Sequence, residues 1–186
     1  MARSSDKRER LLDAARTLFH TQGFAQTTLA DISAASGVPL GNVYYYFKTK
    51  DELVEAVAAD HEAQFQQFVE ELEAAEPSPK GRLLRYLATI HEQRDSLKSH
   101  GCPVGTLCLE LAKAGAATAE KADAVLRLKF DWLEAQFRAM GRDDASFLTE
   151  RLLASLQGSA LLANALNDCD IICRNLHWSR QWVEAL

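Results

Sequence analysis

Apolar positions recur at helical spacing near the start of the chain. Leu11, Leu12, Ala15, Leu18 and Phe19 fall three and four residues apart, with Arg8, Arg10, Asp13 and Arg16 elsewhere around the turn, and this predicts an amphipathic helix. Asp6 with Glu9 three residues later marks its start and Gly23 its stop. A second, short helix is predicted over 29–35. The Thr28 hydroxyl can accept a backbone N–H at its open end, and Asp31 at the third helical position is favoured by the helix dipole. Ser36-Gly37-Val38 breaks the pattern, with Gly37 free of the Cβ that penalises a left-handed turn. Pro39 suits the first turn of a third helix, in which Val43 and Phe47 share the buried side. Asn42, Tyr45 and Tyr46 point elsewhere, and Tyr44, three before Phe47, is expected to be partly buried. Two short helices joined by a three-residue turn containing glycine make a helix-turn-helix.

After Lys48-Thr49-Lys50 a long helical pattern runs over 51–75 and ends before Pro77-Ser78-Pro79. Further helices are predicted over 80–98, 103–114, 118–140, 144–167 and 170–185. No alternating run competes with them, and neither an internal repeat nor a sustained heptad is present, so the expected fold class is all-α.

Composition supports this reading. Of 186 residues 47% are hydrophobic and 25% charged, with nine glycines and four prolines, enough apolar material for a core and little loop material. The longest apolar stretch, 152–166, is interrupted by Ser155, Gln157, Ser159 and Asn164 and falls short of the ~20 residues of a membrane span. The N-terminus leads into an amphipathic segment rather than a signal peptide, so a cytoplasmic chain without a membrane partner is expected. Cys102, Cys108, Cys169 and Cys173 form no C-x-x-C pair and read as reduced thiols. The net charge of −5 conceals a split: residues 1–50 carry +3 and residues 51–186 carry −8. A basic head on an acidic body suggests that the head alone meets a polyanion.

A helix-turn-helix reads DNA by laying its second helix in the major groove while other groups hold phosphates. Gly41 would let backbone approach the sugar-phosphate chain, the Asn42 amide can bond a base edge or phosphate, and Tyr44, Tyr45 and Tyr46 offer hydroxyls and rings. Lys48 and Lys50 add cations. The string Thr27-Thr28-Leu29-Ala30-Asp31-Ile32, followed by Gly37-Val38-Pro39-Leu40-Gly41-Asn42-Val43-Tyr44-Tyr45-Tyr46-Phe47-Lys48-Thr49-Lys50-Asp51-Glu52-Leu53, resembles the DNA-binding domain of the tetracycline-repressor (TetR) family of bacterial transcription regulators. The resemblance covers about residues 7–55 and implies DNA contacts from Thr28, Gly41, Asn42, Tyr44, Tyr45, Tyr46 and Lys50. Leu40 departs from it, since that position often carries a polar or basic side chain. The implied organisation is a helix-turn-helix DNA-binding domain, 1–50, followed by an effector-binding and dimerisation domain, 51–186.

That body shows no nucleophile elbow, His-Glu-x-x-His, phosphate loop or dinucleotide fingerprint, so neither enzyme chemistry nor a cofactor is expected. Cys169, Cys173 and His177 sit at i, i+4 and i+8; in one helix the outer two lie ~12 Å apart along the axis, too far for a shared metal, and no metal site is expected. Phe147, Leu148, Leu152, Leu156, Leu162 and Leu166 form an apolar band with Ala154, Gly158 and Ala165 allowing close approach, and Ile171, Ile172, Leu176, Trp178 and Trp182 offer a second face. These segments read as a homodimer surface, with Leu152, Leu156, Gly158, Leu162, Trp178 and Trp182 its expected contacts. Phe65, Phe68, Tyr86, His91, Trp132 and Phe137 are candidates to enclose a small-molecule effector. Cys102, ahead of Pro103 at a predicted helix N-terminus and near His100, is a further candidate there as a reactive thiol. A Cys102–Cys108 disulfide would require the helix between them to unwind.

Overall fold

The computed structural model describes residues 2–114 and 119–186. Among the described residues are ten α-helices and no strand: α1 (Ala2–Thr21), α2 (Leu29–Ser36), α3 (Leu40–Tyr46), α4 (Lys50–Ala75), α5 (Pro79–Glu92), α6 (Arg94–His100), α7 (Pro103–Ala114), α8 (Ala119–Ala139), α9 (Ala145–Leu166) and α10 (Asp170–Ala185). The protein is all-α, and no described helix is long and apolar enough to cross a membrane. It divides into two compact units, Met1–Glu62 with Pro103–Val125, and Ala63–Cys102 with Leu126–Leu186.

Most boundaries fall within a residue of the sequence reading, and the larger differences have local causes. α1 starts at Ala2, so Asp6 and Glu9 lie inside it rather than opening it; Ala2-Arg3-Ser4-Ser5 contains no Gly or Pro to stop a helix growing backwards. Pro39 is the cap of α3 rather than its first residue, and its carbonyl accepts from the Asn42 and Val43 N–H groups. The helix expected over 80–98 is two helices with a turn at Gln93. His91-Glu92-Gln93-Arg94-Asp95-Ser96 holds no apolar residue, so no continuous buried stripe carries a straight helix across it. Thr118, the predicted start of the eighth helix, lies outside the described residues.

In the first unit Leu11, Ala15 and Phe19 of α1 pack with Ile32, Val43, Phe47, Leu53 and Val57, joined by Leu107 and Leu111 of α7. Gly37 has a left-handed φ of 64°, which favours glycine, and beside it the Arg10 guanidinium donates to the Ser36 carbonyl at the end of α2.

In the second unit α10 packs on α9 and α5, and α6 packs on α9. α9 has two faces. Leu148, Leu152, Leu156, Ala160 and Ala163 are buried in the unit's core, whereas Phe147, Leu161, Leu162 and Leu166 are exposed at 61, 65, 50 and 66%. Leu152 and Leu156 are therefore core residues here, a correction to their expected place on an association surface. Leu156 and Leu162 are six residues apart, roughly 240° around the helix, and cannot share a face.

Candidate nucleic-acid interface

The helix-turn-helix is fixed locally at both ends of α2. Thr28 accepts from the Asp31 N–H at 3.2 Å, and the Asp31 carboxylate accepts from the Thr28 N–H at 2.8 Å, a closed capping box. The Thr28 hydroxyl also donates to that carboxylate at 2.6 Å. The hydroxyl bond, and then the backbone bond, hold the Asp31 carboxyl below its ordinary 3.8. A depressed carboxyl stabilises the fold above its unfolded value, and that contribution is lost as pH falls through the folded one. Thr28→Ala removes the N-cap of α2, a loss of about 1 kcal/mol at neutral pH for caps of this kind. Urea unfolding checks it: the deficit should shrink below pH 3.8, and an equal deficit at all pH values would contradict the box.

On α3, Val43 is fully buried and Phe47, just past the last turn, is buried beside it. That anchors one side and leaves Leu40, Gly41, Tyr44 and Tyr45 exposed on the other. Tyr45 is 73% exposed, and Asn42 is half-buried at the edge of this face. Tyr44 and Tyr46 exchange the expected roles. Tyr44 is 47% exposed, while Tyr46 is half-buried, packs on the first unit's core and meets the Tyr45 ring edge to face at 5.0 Å. Tyr46 stands three residues after Val43, one step from its side of the helix, whereas Tyr44 is rotated about 100° away. A Cβ on Gly41 would meet nothing within 4 Å, so the fold itself makes no demand for glycine there.

The two lysines differ. Lys48 is exposed, with its ammonium on the Tyr44 carbonyl at 2.9 Å. Lys50 is turned inward: it donates to the Phe24 and Thr27 carbonyls at 2.7 and 3.0 Å and stands 4.0 Å over the Phe24 ring centroid. In this structure its ammonium holds the loop between α1 and α2. Glu110 of α7 accepts from the Ala25 N–H of the same loop at 3.0 Å. Sequence reasoning missed this residue, and no local signal marks it.

The residues expected around an effector do not form one chamber. Phe65, Tyr86 and Trp132 are buried against one another at centroid distances of 5.6 to 6.5 Å, with Phe68 at their edge. Burial, then the nearby Cys102, push the Tyr86 hydroxyl above its ordinary range. Phe137 is fully buried elsewhere in the unit, its ring tilted at 51° to that of Trp182 at 6.0 Å, and so belongs to the packing of α8 on α10. His91 is exposed on a groove lined also by Leu87, Cys173, Leu176, His177 and Arg180, with its Nδ1 4.0 Å from the Cys173 thiol. Cys102 is half-buried and accepts from the Gln157 amide at 3.5 Å. Cys102 packs on the second unit's core and Cys108 on the first unit's, and none of the four cysteines is joined in a disulfide. No group of three His, Cys, Asp or Glu side chains among the described residues is placed to hold a metal ion.

On the second unit, Trp178 of α10 is 70% exposed beside Arg151 and Ser155 of α9, and a Cβ on Gly158 would meet nothing within 4 Å. Trp182 is half-buried, held between Phe137 and the Arg151 guanidinium.

Residues 11–57 match the family model described as bacterial regulatory proteins, tetR family. Over 165 residues the chain is 28% identical to the HTH-type transcriptional repressor DhaR of Mycobacterium sp. (strain GP1), covering 83% of this chain and 80% of that one. Over 181 residues it is 26% identical to an uncharacterized HTH-type transcriptional regulator in the lacX 3′ region of Lactococcus lactis subsp. lactis, covering 90% and 88%. A TetR-family transcriptional regulator from Agrobacterium tumefaciens has the same fold, with a TM-score of 0.85, 22% identity and 98% of each chain covered. Residues 11–57 thus carry the helix-turn-helix of the tetR family of bacterial regulatory proteins, and the chain has the all-α fold of TetR-family regulators and is similar over most of its length to transcription regulators.

Proposed function

We propose that this protein is a ligand-responsive repressor that binds a palindromic operator as a homodimer and is released by a small-molecule effector. The observation that carries the DNA-reading half is the division of α3: Val43 fixes one side, and Leu40, Gly41, Tyr44 and Tyr45 lie exposed on the other. Asn42 at the edge offers an amide to a base, Tyr44 and Tyr45 give rings to thymine methyls or hydroxyls to phosphates, and Leu40 offers an apolar contact. Thr28 and Lys48 lie exposed beside them, suited to phosphates. Lys50 and Tyr46 act by holding the motif in shape. The dimer reading rests on the outward faces of α9 and α10, where Leu161, Leu162, Leu166 and Trp178 expose more apolar side chain than a monomer surface needs. Two-fold symmetry would present two α3 helices to two half-sites.

For the effector, the corner formed by Tyr86, Cys102 and Gln157 beside Phe65 and Trp132 offers a mostly apolar wall with a hydroxyl, a thiol and an amide. The packed state of those rings favours a second reading, a DNA binder that works without effector, and the two differ in whether any small molecule releases DNA.

The test of DNA reading is Tyr45→Ala measured on duplexes that the wild-type protein enriches from a random-sequence pool. Affinity should fall about tenfold while helicity and sedimentation stay unchanged, and wild-type affinity should drop steeply with salt. Unchanged affinity in Tyr45→Ala would remove α3 from the reading role.

A further inference from the structure

We propose that Glu110, on α7, is a positioning residue for DNA binding, which together with Lys50 latches the loop between α1 and α2 and so sets the placement of the helix-turn-helix. The inference rests on the DNA-binding reading of α3 and adds to it a residue more than fifty positions beyond the recognised motif. The loop is held from two sides by opposite charges. Lys50 takes the Phe24 and Thr27 carbonyls at 2.7 and 3.0 Å, and Glu110 takes the Ala25 N–H at 3.0 Å. Thr28, which caps α2, follows at once, so a shift of this loop moves the start of the motif.

The two charges support each other. Burial disfavours the Lys50 ammonium, and the Asp51 and Glu110 carboxylates oppose that effect. Glu110 is itself held in place, because Leu107 and Leu111 of the same helix are buried in the first unit's core at 5 and 0% exposure. The loop backbone fits around the carboxylate. Gly23 adopts a left-handed φ of 86°, and a Cβ there would lie 2.7 Å from Glu110 Oε1. Glu110 touches no part of the reading face, so its effect on DNA must pass through the loop.

The experiment uses the full chain and two probes, the duplex enriched by the wild-type protein from a random pool and a scrambled duplex of equal length and composition. Glu110→Ala should bind the enriched duplex about tenfold more weakly, with its affinity for the scrambled duplex and its sedimentation unchanged. Hydrogen exchange at the Ala25 amide should speed up. Glu110→Gln keeps an oxygen able to accept from Ala25 and should recover most of the lost affinity. Wild-type affinity in Glu110→Ala overturns the proposal, and so does an equal loss on both duplexes accompanied by a lower thermal midpoint, which would mark a general destabilisation. A wild-type chain that enriches no duplex overturns the DNA reading itself, an outcome distinct from a failure of the latch alone.

Discussion

Trp178→Glu should turn the protein into folded monomers that bind the enriched duplex with one half-site's affinity. Trp178 is 70% exposed on α10, and the exposed leucines of α9 make no contact that the second unit's own core requires. If two copies meet on this surface, each substitution occurs twice. A carboxylate placed where an indole was buried loses the ring's contacts and leaves an unpaired charge without water, at about 2 kcal/mol or more for each copy. Together these weaken association by roughly a thousandfold or more. The fold should survive, since Trp178 lies outside the buried set that includes Ile172, Leu176 and Val183. Sedimentation equilibrium with a thermal melt separates the outcomes. Dimers of unchanged strength would place association elsewhere, and unfolded protein would show that Trp178 serves the monomer. Gly158→Leu probes the same surface from α9, where open space at the Cβ position leaves a partner as what the new side chain would strike.

How far the sequence could be read depends on the range of the interactions. The Thr28–Asp31 box and the left-handed Gly37 close within a few residues, and both stand in the structure as their spacing predicts. Lys50 looked like a free cation because its partners, the Phe24 and Thr27 carbonyls, are backbone groups 26 and 23 residues away that no side-chain pattern announces. Glu110 is 85 residues from Ala25 and was unreadable for the same reason. On α9, the count of apolar residues was right and their division between two faces was not, because Leu148, Leu152 and Leu156 follow the stripe that α10 and α6 cover, while Phe147, Leu161 and Leu162 follow another. The aromatic residues of the second unit show the same limit. Helical spacing placed them inside, but only packing shows that Phe65, Tyr86 and Trp132 meet while Phe137 faces Trp182.

Phe137→Ala should destabilise the protein more than Thr28→Ala or Tyr45→Ala, and it decides between two readings of that ring. Phe137 is fully buried, its ring lies 6.0 Å from that of Trp182 at 51°, and the unit's core surrounds it. Removing a phenyl group from such a site loses its transfer free energy and leaves a cavity that the neighbours fill only in part, a cost of about 3–5 kcal/mol. For a chain of this size each kcal/mol lowers the melting midpoint by about 2–4 °C, so a fall on the order of 10 °C is expected. Tyr45→Ala, which touches no core, should leave the midpoint in place and change DNA binding instead, so the pair forms a crossed control. If Phe137 lined an effector chamber, the ring would face empty space in the free protein and its loss would cost well below that range. A midpoint within 3 °C of wild type would support that chamber, whereas the larger fall identifies Phe137 as the residue that joins α8 to α10.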